Sequence, residues 1–173
     1  MSGIHRAALP AYALLADRAR DGEYADCYVV EVPQEVTHAD FVEAFYTTWL
    51  FKLERFILAW LVKKPSTDAE ARALARGERT RFAAWRVEER VGNQLVMRDF
   101  QGKTCSWLMV ESLPASTRLY FGSAVVPRPD VAPGKRTMGF AFHALLGFHA
   151  AYSRALLRAA RSRLLAKPGP GAQ

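Results

Sequence analysis

Between Thr80 and Val126 the chain reads as four consecutive strand-like runs, Arg81–Arg90, Gln94–Phe100, Lys103–Glu111 and Thr117–Val126, with no helical stretch between them. Turn signals separate them around Gly92-Asn93, Gly102 and Pro114. Strands joined by such short connections pair antiparallel, because a parallel crossover needs a dozen or more residues. A four-stranded meander is therefore the fixed point, and the rest of the chain must cover it.

Upstream, Asp26–Pro33 is dense in β-formers and stops at proline, which predicts a first strand. Pro10 opens a short helix predicted over Ala11–Arg20, ended by the Asp21-Gly22 turn. Thr37 with Asp40 resembles the capping box of a long helix. Its apolar positions Phe41, Phe45, Trp49, Leu53, Phe56 and Trp60 step by three and four onto one aromatic face. Pro65, the Thr67-x-x-Glu70 capping box and Gly77 delimit an alanine-rich second helix. Downstream, Pro127, Pro129, Pro133 and Gly134 make an irregular connection to a helix predicted over Met138–Leu165. Strands and helices are thus segregated along the chain, the signature of an α+β fold rather than alternating α/β. Residues 1–23 read as an N-terminal helical extension, 24–166 as a single α+β domain and 167–173 as a flexible tail.

Half of the residues are apolar, enough for a sizeable core in 173 residues. The longest apolar stretch, Trp49 to Val62, is interrupted by Lys52, Glu54 and Arg55, and it falls short of the roughly 20 residues of a bilayer crossing. The first 21 residues lack a signal-peptide core, so a cytoplasmic protein is expected. Cys27 and Cys105 lie in strand-like runs, as reduced thiols acting as small hydrophobes. The net charge of +7 is unevenly placed: all 17 acidic residues precede Val131, whereas residues 131–173 carry only basic charge. Arg154, Arg158 and Arg161 recur at helical spacing, giving a solvated stripe favoured by the helix dipole or a weak contact for an anionic surface. No groove-reading motif or aromatic-studded basic patch accompanies it, so no nucleic-acid partner is expected.

Alternation leaves the meander with two faces, and register decides which residues share one. A three-residue loop at Val91–Asn93, another at Gln101–Lys103 and a five-residue loop at Ser112–Ser116 place Val87, Met97, Trp107 and Phe121 on one central rung. One neighbouring rung is Glu89, Leu95, Met109 and Leu119; the other is Trp85, Asp99, Cys105 and Ser123. The opposite face, with Arg86, Glu88, Arg98, Thr104, Ser106, Arg118 and Tyr120, goes to solvent. The final helix presents Phe142, Leu145, Leu146, His149, Tyr152 or Ser153, and Leu156 inward. The inner face is apolar and aromatic, which suits either an ordinary core or a pocket for a flat apolar molecule.

This order of elements (one strand, a helix pair, a meander and a long closing helix) resembles the helix-grip fold of the START, polyketide-cyclase and birch-pollen-allergen-like superfamily (SRPBCC) over roughly Tyr24 to Leu165. Five strands are fewer than a full grip carries. The resemblance implies an apolar ligand held between sheet and final helix. The lining would then be Trp85, Val87, Leu95, Met97, Trp107, Met109, Phe121, Phe142, Leu146 and His149.

Three functions stay open. The leading one is binding of a small hydrophobic or amphipathic ligand, lipid-like or polyketide-like. A second adds acid–base chemistry, cyclisation, dehydration or isomerisation, by an inward Asp99, Glu89, Glu111 or His149, with His149 oriented by Asp99 as the one proposed pair. A third is an interaction module with a filled core. No cofactor or metal is implied: His143 and His149 are six apart rather than three or four, and neither a phosphate-binding glycine loop nor a serine elbow is present. The helix carrying Trp49, Phe51, Phe56 and Trp60 has more apolar residues than one buried stripe needs, consistent with a homodimer contact.

Overall fold

The computed structural model describes residues 3–16, 24–62, 65–125 and 140–166. Seven antiparallel strands form one sheet: β1 (His5–Arg6), β2 (Ala25–Val32), β3 (Arg81–Phe82), β4 (Trp85–Val91), β5 (Gln94–Asp99), β6 (Thr104–Leu113) and β7 (Ser116–Val125). Their spatial order is β1-β2-β7-β6-β5-β4-β3, so the first long strand closes against the last. Helices α1 (His38–Tyr46), α2 (Trp49–Val62) and α3 (Asp68–Ala75) precede β3, and α4 (Phe140–Leu165) follows β7. β1 is only two residues long, too short to carry an alternation signal, and the single strand expected over Arg81–Arg90 instead folds back at Ala83-Ala84, where Ala83 takes φ +51, so that Arg81–Phe82 pairs with Trp85–Arg86.

The caps form as the sequence predicts. Thr37 Oγ1 accepts from Asp40 N at 3.1 Å, the Thr67–Glu70 capping box is complete, and Gly77 ends α3 with φ +80, a conformation that favours glycine. The single helix expected over residues 37–60 breaks instead at Thr47-Thr48. There the hydroxyls bond back to Glu43 O (2.7 Å) and Phe45 O (3.0 Å), and Thr48 Oγ1 then accepts from Phe51 N to start α2. The break resets the helical phase. Phe41 and Phe45 are buried on α1, and on α2 Phe51 and Arg55 turn inward while Trp49 (71% exposed), Leu53 and Phe56 face solvent. Residues 11–15 form successive turns rather than the expected helix; its later part lies outside the described residues.

The core on the helical side of the sheet joins Tyr28, Val30, Val32, Leu95, Leu108, Leu119 and Phe121 to Phe41, Phe45, Tyr46 and Leu74, with Leu156, Leu157, Ala160 and Leu164 of α4 closing it. The other face is also covered. After β1, residues 7–16 run across it as a strap whose Ala13 and Leu15 pack on Cys27, Val29, Val96, Cys105, Trp107, Met109 and Tyr120. Gln94 fastens the strap: its Oε1 accepts from Leu14 N and from Trp107 Nε1, both at 2.9 Å, and its Nε2 donates to Tyr12 O at 3.2 Å. Trp107 stacks over Gly122, its cross-strand partner, where a Cβ would lie 3.0 Å from Trp107 Cε3 and Leu15 Cδ2 and 2.9 Å from Asp26 O.

This second core corrects the expected register. The β4–β5 connection is a two-residue turn at Gly92-Asn93, and a bulge between Val87 and Glu89 keeps Val87 opposite Met97. On β6, however, Met97 faces Ser106 and Phe121 faces Leu108, one residue off the expected pairings, because the Pro114-Ala115 turn holds two residues rather than five and the Asp99–Thr104 connection holds four rather than three. A one-residue slip exchanges faces. Trp107, Met109 and Cys105 therefore lie beneath the strap, and Ser106, Leu108 and Val110 face the helices. Of the face expected in solvent, Tyr120 (6% exposed) and Ser106 are buried and Arg98, Thr104 and Arg118 half-buried, while Arg86 and Glu88 are exposed.

Candidate functional site

Paired residues of an antiparallel sheet point to the same side, so the register gives the inner face rung by rung. Tyr28, Phe121, Leu108 and Leu95 form one apolar rung, and the second half of α4 packs over this part of the sheet. The next rung changes character: Asp26, Ser123, Ser106, Met97 and Val87. This polar rung faces the first half of α4, which delivers His149.

Asp26 enters here because β2 begins at Ala25, so the acid is already inside the ladder, with its side chain fully buried. Its Oδ1 accepts from Ser123 N (3.2 Å) and Ser123 Oγ (2.6 Å). Ser123 Oγ also lies 2.6 Å from His149 Nε2, and that nitrogen is 3.7 Å from Asp26 Oδ2. A hydroxyl has one proton. With Asp26 ionised, Ser123 donates to the carboxylate and accepts from His149 Nε2–H, so the serine links acid and imidazole rather than serving as a nucleophile activated by the histidine. Among the described residues, Asp26 Oδ2, Trp85 Nε1 and Ser153 Oγ are buried without a hydrogen-bond partner, a costly state unless a donor or acceptor is supplied from elsewhere. Burial first, and the Asp26 carboxylate second, raise the hydroxyls of Tyr24 and Tyr28 above the ordinary phenol range and push the Cys27 thiol up to about 12. That thiol is un-ionised at neutral pH and inert. Beside this end, a cavity of about 560 Å³ at the β1–β2 edge is lined by residues 6–9 and 25–27.

The expected site residues scatter. Val87, Leu95, Met97 and Phe121 reach the inner face, and Trp85 packs against its core. Trp107 and Met109 do not, for the register reason above. The side chains of Phe142, Leu145 and Leu146 lie outside those described. His149 faces the sheet but not Asp99, whose Oδ1 instead accepts from Lys103 N (2.6 Å) and Thr104 N (3.1 Å) and so closes the β5–β6 turn. Glu89 is exposed, because the bulge hands its inward place to Arg90, which caps the end of α3 through Leu74 O (2.6 Å). Glu111 lies on the strap side, bonded to Arg118 (3.1 Å) and Tyr120 Oη (2.6 Å). The acid that meets His149 is Asp26. Its only sequence signal is a carboxylate at the head of a strand dense in β-formers.

Among the described residues, no group of three or more His, Cys, Asp or Glu is placed to hold a metal ion, and no helix is long and apolar enough to cross a membrane. Of the basic stripe, Arg154 and Arg158 are exposed and Arg161 is half-buried.

These features define an α+β domain of helix-grip architecture, an antiparallel sheet closed on one side by a long C-terminal helix. No family model matches the chain, and no curated protein does. Among solved structures it is similar to the crystal structure of CalU16 from Micromonospora echinospora, at 12% identity over 94% of this chain and 92% of that one, with a TM-score of 0.33.

Proposed function

We propose that the chain binds a small amphipathic molecule between the sheet and the first half of α4, with its polar group against Asp26 and its apolar part toward Met97, Val87 and Trp85. The observation that carries this reading is the fully buried Asp26 carboxylate, one oxygen of which has no hydrogen-bond partner among the described residues, with His149 Nε2 standing off at 3.7 Å. A buried carboxyl group with unmatched acceptor capacity is costly unless a donor is supplied to it. The START-like order of elements supports the same location. The test is uptake of the apolar fluorophore N-phenylnaphthylamine by protein purified without detergent, in wild type and Asp26→Asn. Saturable uptake that changes on substitution supports the reading; absence of uptake by the folded protein removes it.

A second reading is favoured by the Ser123 hydroxyl between Asp26 and His149. Such a link lets carboxylate and imidazole exchange a proton without moving, the requirement for acid–base turnover of the bound molecule. It differs in outcome: a ligand recovered chemically unchanged after incubation leaves binding alone, whereas conversion that stops in His149→Asn makes the domain an enzyme.

A further inference from the structure

The hydrogen-bonding capacity and charge of the Asp26 end select the polar group it accepts. Asp26 Oδ1 is saturated by Ser123, and Oδ2 can only accept, so the fitting group is a donor. Two cations stand around Tyr28, two residues along the same strand face from that acid. Arg6 pairs with Tyr28 across β1 and β2 and therefore shares the inner face, and it borders the 560 Å³ cavity that Asp26 also lines. Arg154 of α4 holds its guanidinium 5.3 Å from the centre of the Tyr28 ring. Both arginines are exposed, and among the described residues neither forms an ion pair. On the strap side, by contrast, Arg118 is neutralised by Glu31 and Glu111. One end of the sheet–helix interface thus presents a buried acceptor and, around Tyr28 beside it, two guanidinium groups with no ion pair among the described residues, an arrangement that suits an anion.

From this we infer that the ligand is a hydroxylated carboxylic acid with an apolar tail: its carboxylate lies between Arg6 and Arg154, its hydroxyl donates to Asp26 Oδ2, and its tail runs under the first half of α4. The inference rests on the ligand-binding reading above. An aliphatic amine is disfavoured because it meets two guanidinium groups, and an acid without the hydroxyl leaves Asp26 unmatched beside a second carboxylate.

The test displaces N-phenylnaphthylamine from the full chain with four chain-matched compounds: β-hydroxydodecanoate, β-methoxydodecanoate, dodecanol and dodecylamine. The hydroxy acid is expected to compete best, with the methoxy acid and the alcohol each about tenfold weaker, since each lacks one charge-assisted contact, and the amine weakest. Arg154→Gln, checked for native circular dichroism, narrows the gap between hydroxy acid and alcohol. Equal competition by the alcohol or amine removes the arginine contacts, and equal competition by the methoxy acid removes the Asp26 contact; either overturns the inference and leaves ligand binding standing. A folded protein that takes up no fluorophore overturns both.

Discussion

Replacing Gln94 with leucine isolates the strap that closes the far side of the sheet. The two side chains are close in volume, so no cavity term enters and the loss is polar. Gln94 is 5% exposed and serves three partners: Trp107 Nε1 and Leu14 N, which donate to its Oε1 at 2.9 Å, and Tyr12 O, which accepts from its Nε2 at 3.2 Å. Trp107 is fully buried, so its N–H loses its partner where water cannot replace it, at about 1–3 kcal/mol. Leu14 N and Tyr12 O lie at the strap margin and recover water by lifting away, which adds roughly 1 kcal/mol together with lost packing. The expected total is about 3 kcal/mol, which for a chain of this length lowers Tm by roughly 6–12 °C. Urea and thermal unfolding measure the cost, and amide hydrogen exchange of residues 5–16 should accelerate ahead of the remaining sheet. Stability within about 0.5 kcal/mol of wild type, with unaltered exchange in the strap, would refute the placement of Trp107 beneath it, since surface changes typically stay inside that range.

Gly122→Ala puts a Cβ 2.9 Å from the Asp26 carbonyl oxygen, a backbone atom that cannot yield cheaply, and should cost about 2 kcal/mol in thermal unfolding. A Tm equal to wild type would contradict the Trp107–Gly122 stacking. Burial holds His38 at about 4, below its ordinary 6.5, while its Nε2 contacts Leu108 O. As pH falls, the unfolded chain takes up that proton first, so the contribution is present above pH 6.5 and is lost toward pH 4 at about 1 kcal/mol per unit. His38→Gln should flatten this part of the urea-midpoint profile, and an unchanged slope would assign the loss to other groups. Ser123→Ala removes the 2.6 Å bond to Asp26 and the link to His149, with an expected loss of about 1–3 kcal/mol and displaced His149 ring resonances by NMR. A variant with both quantities unchanged would show that the three side chains are not connected.

The meander, the capped α3 and the long last helix are legible in the sequence because each rests on local signals: turn residues, a capping box and sustained periodicity. Register is different in kind. The Gly92-Asn93 turn and the bulge after Val87 offset one another, so a three-residue loop reproduces the Val87–Met97 pair by a wrong route, while Pro114-Ala115 forms a tighter turn than proline followed by small residues suggests. Each slip moves a whole strand face, so Trp107 and Met109 look inward from sequence and are buried outward. The helix break at Thr47-Thr48 was visible in principle, since adjacent threonines compete for helical carbonyls, but the aromatic period runs through it unchanged. His149 reads correctly as facing the sheet because it lies on a regular helix. Its partner does not: Asp26 joins Ser123 across 97 positions, a contact set by β2 closing on β7, which no local pattern carries.

The central claim is that a ligand occupies the space between the polar rung and the first half of α4. A crystal structure of the protein grown with β-hydroxydodecanoate tests it most directly. Ligand density is expected with an oxygen at hydrogen-bond distance, about 2.5–3.0 Å, from Asp26 Oδ2 and a tail passing Met97. Density absent from that space, with Asp26 Oδ2 hydrogen-bonded to a protein side chain, would contradict it.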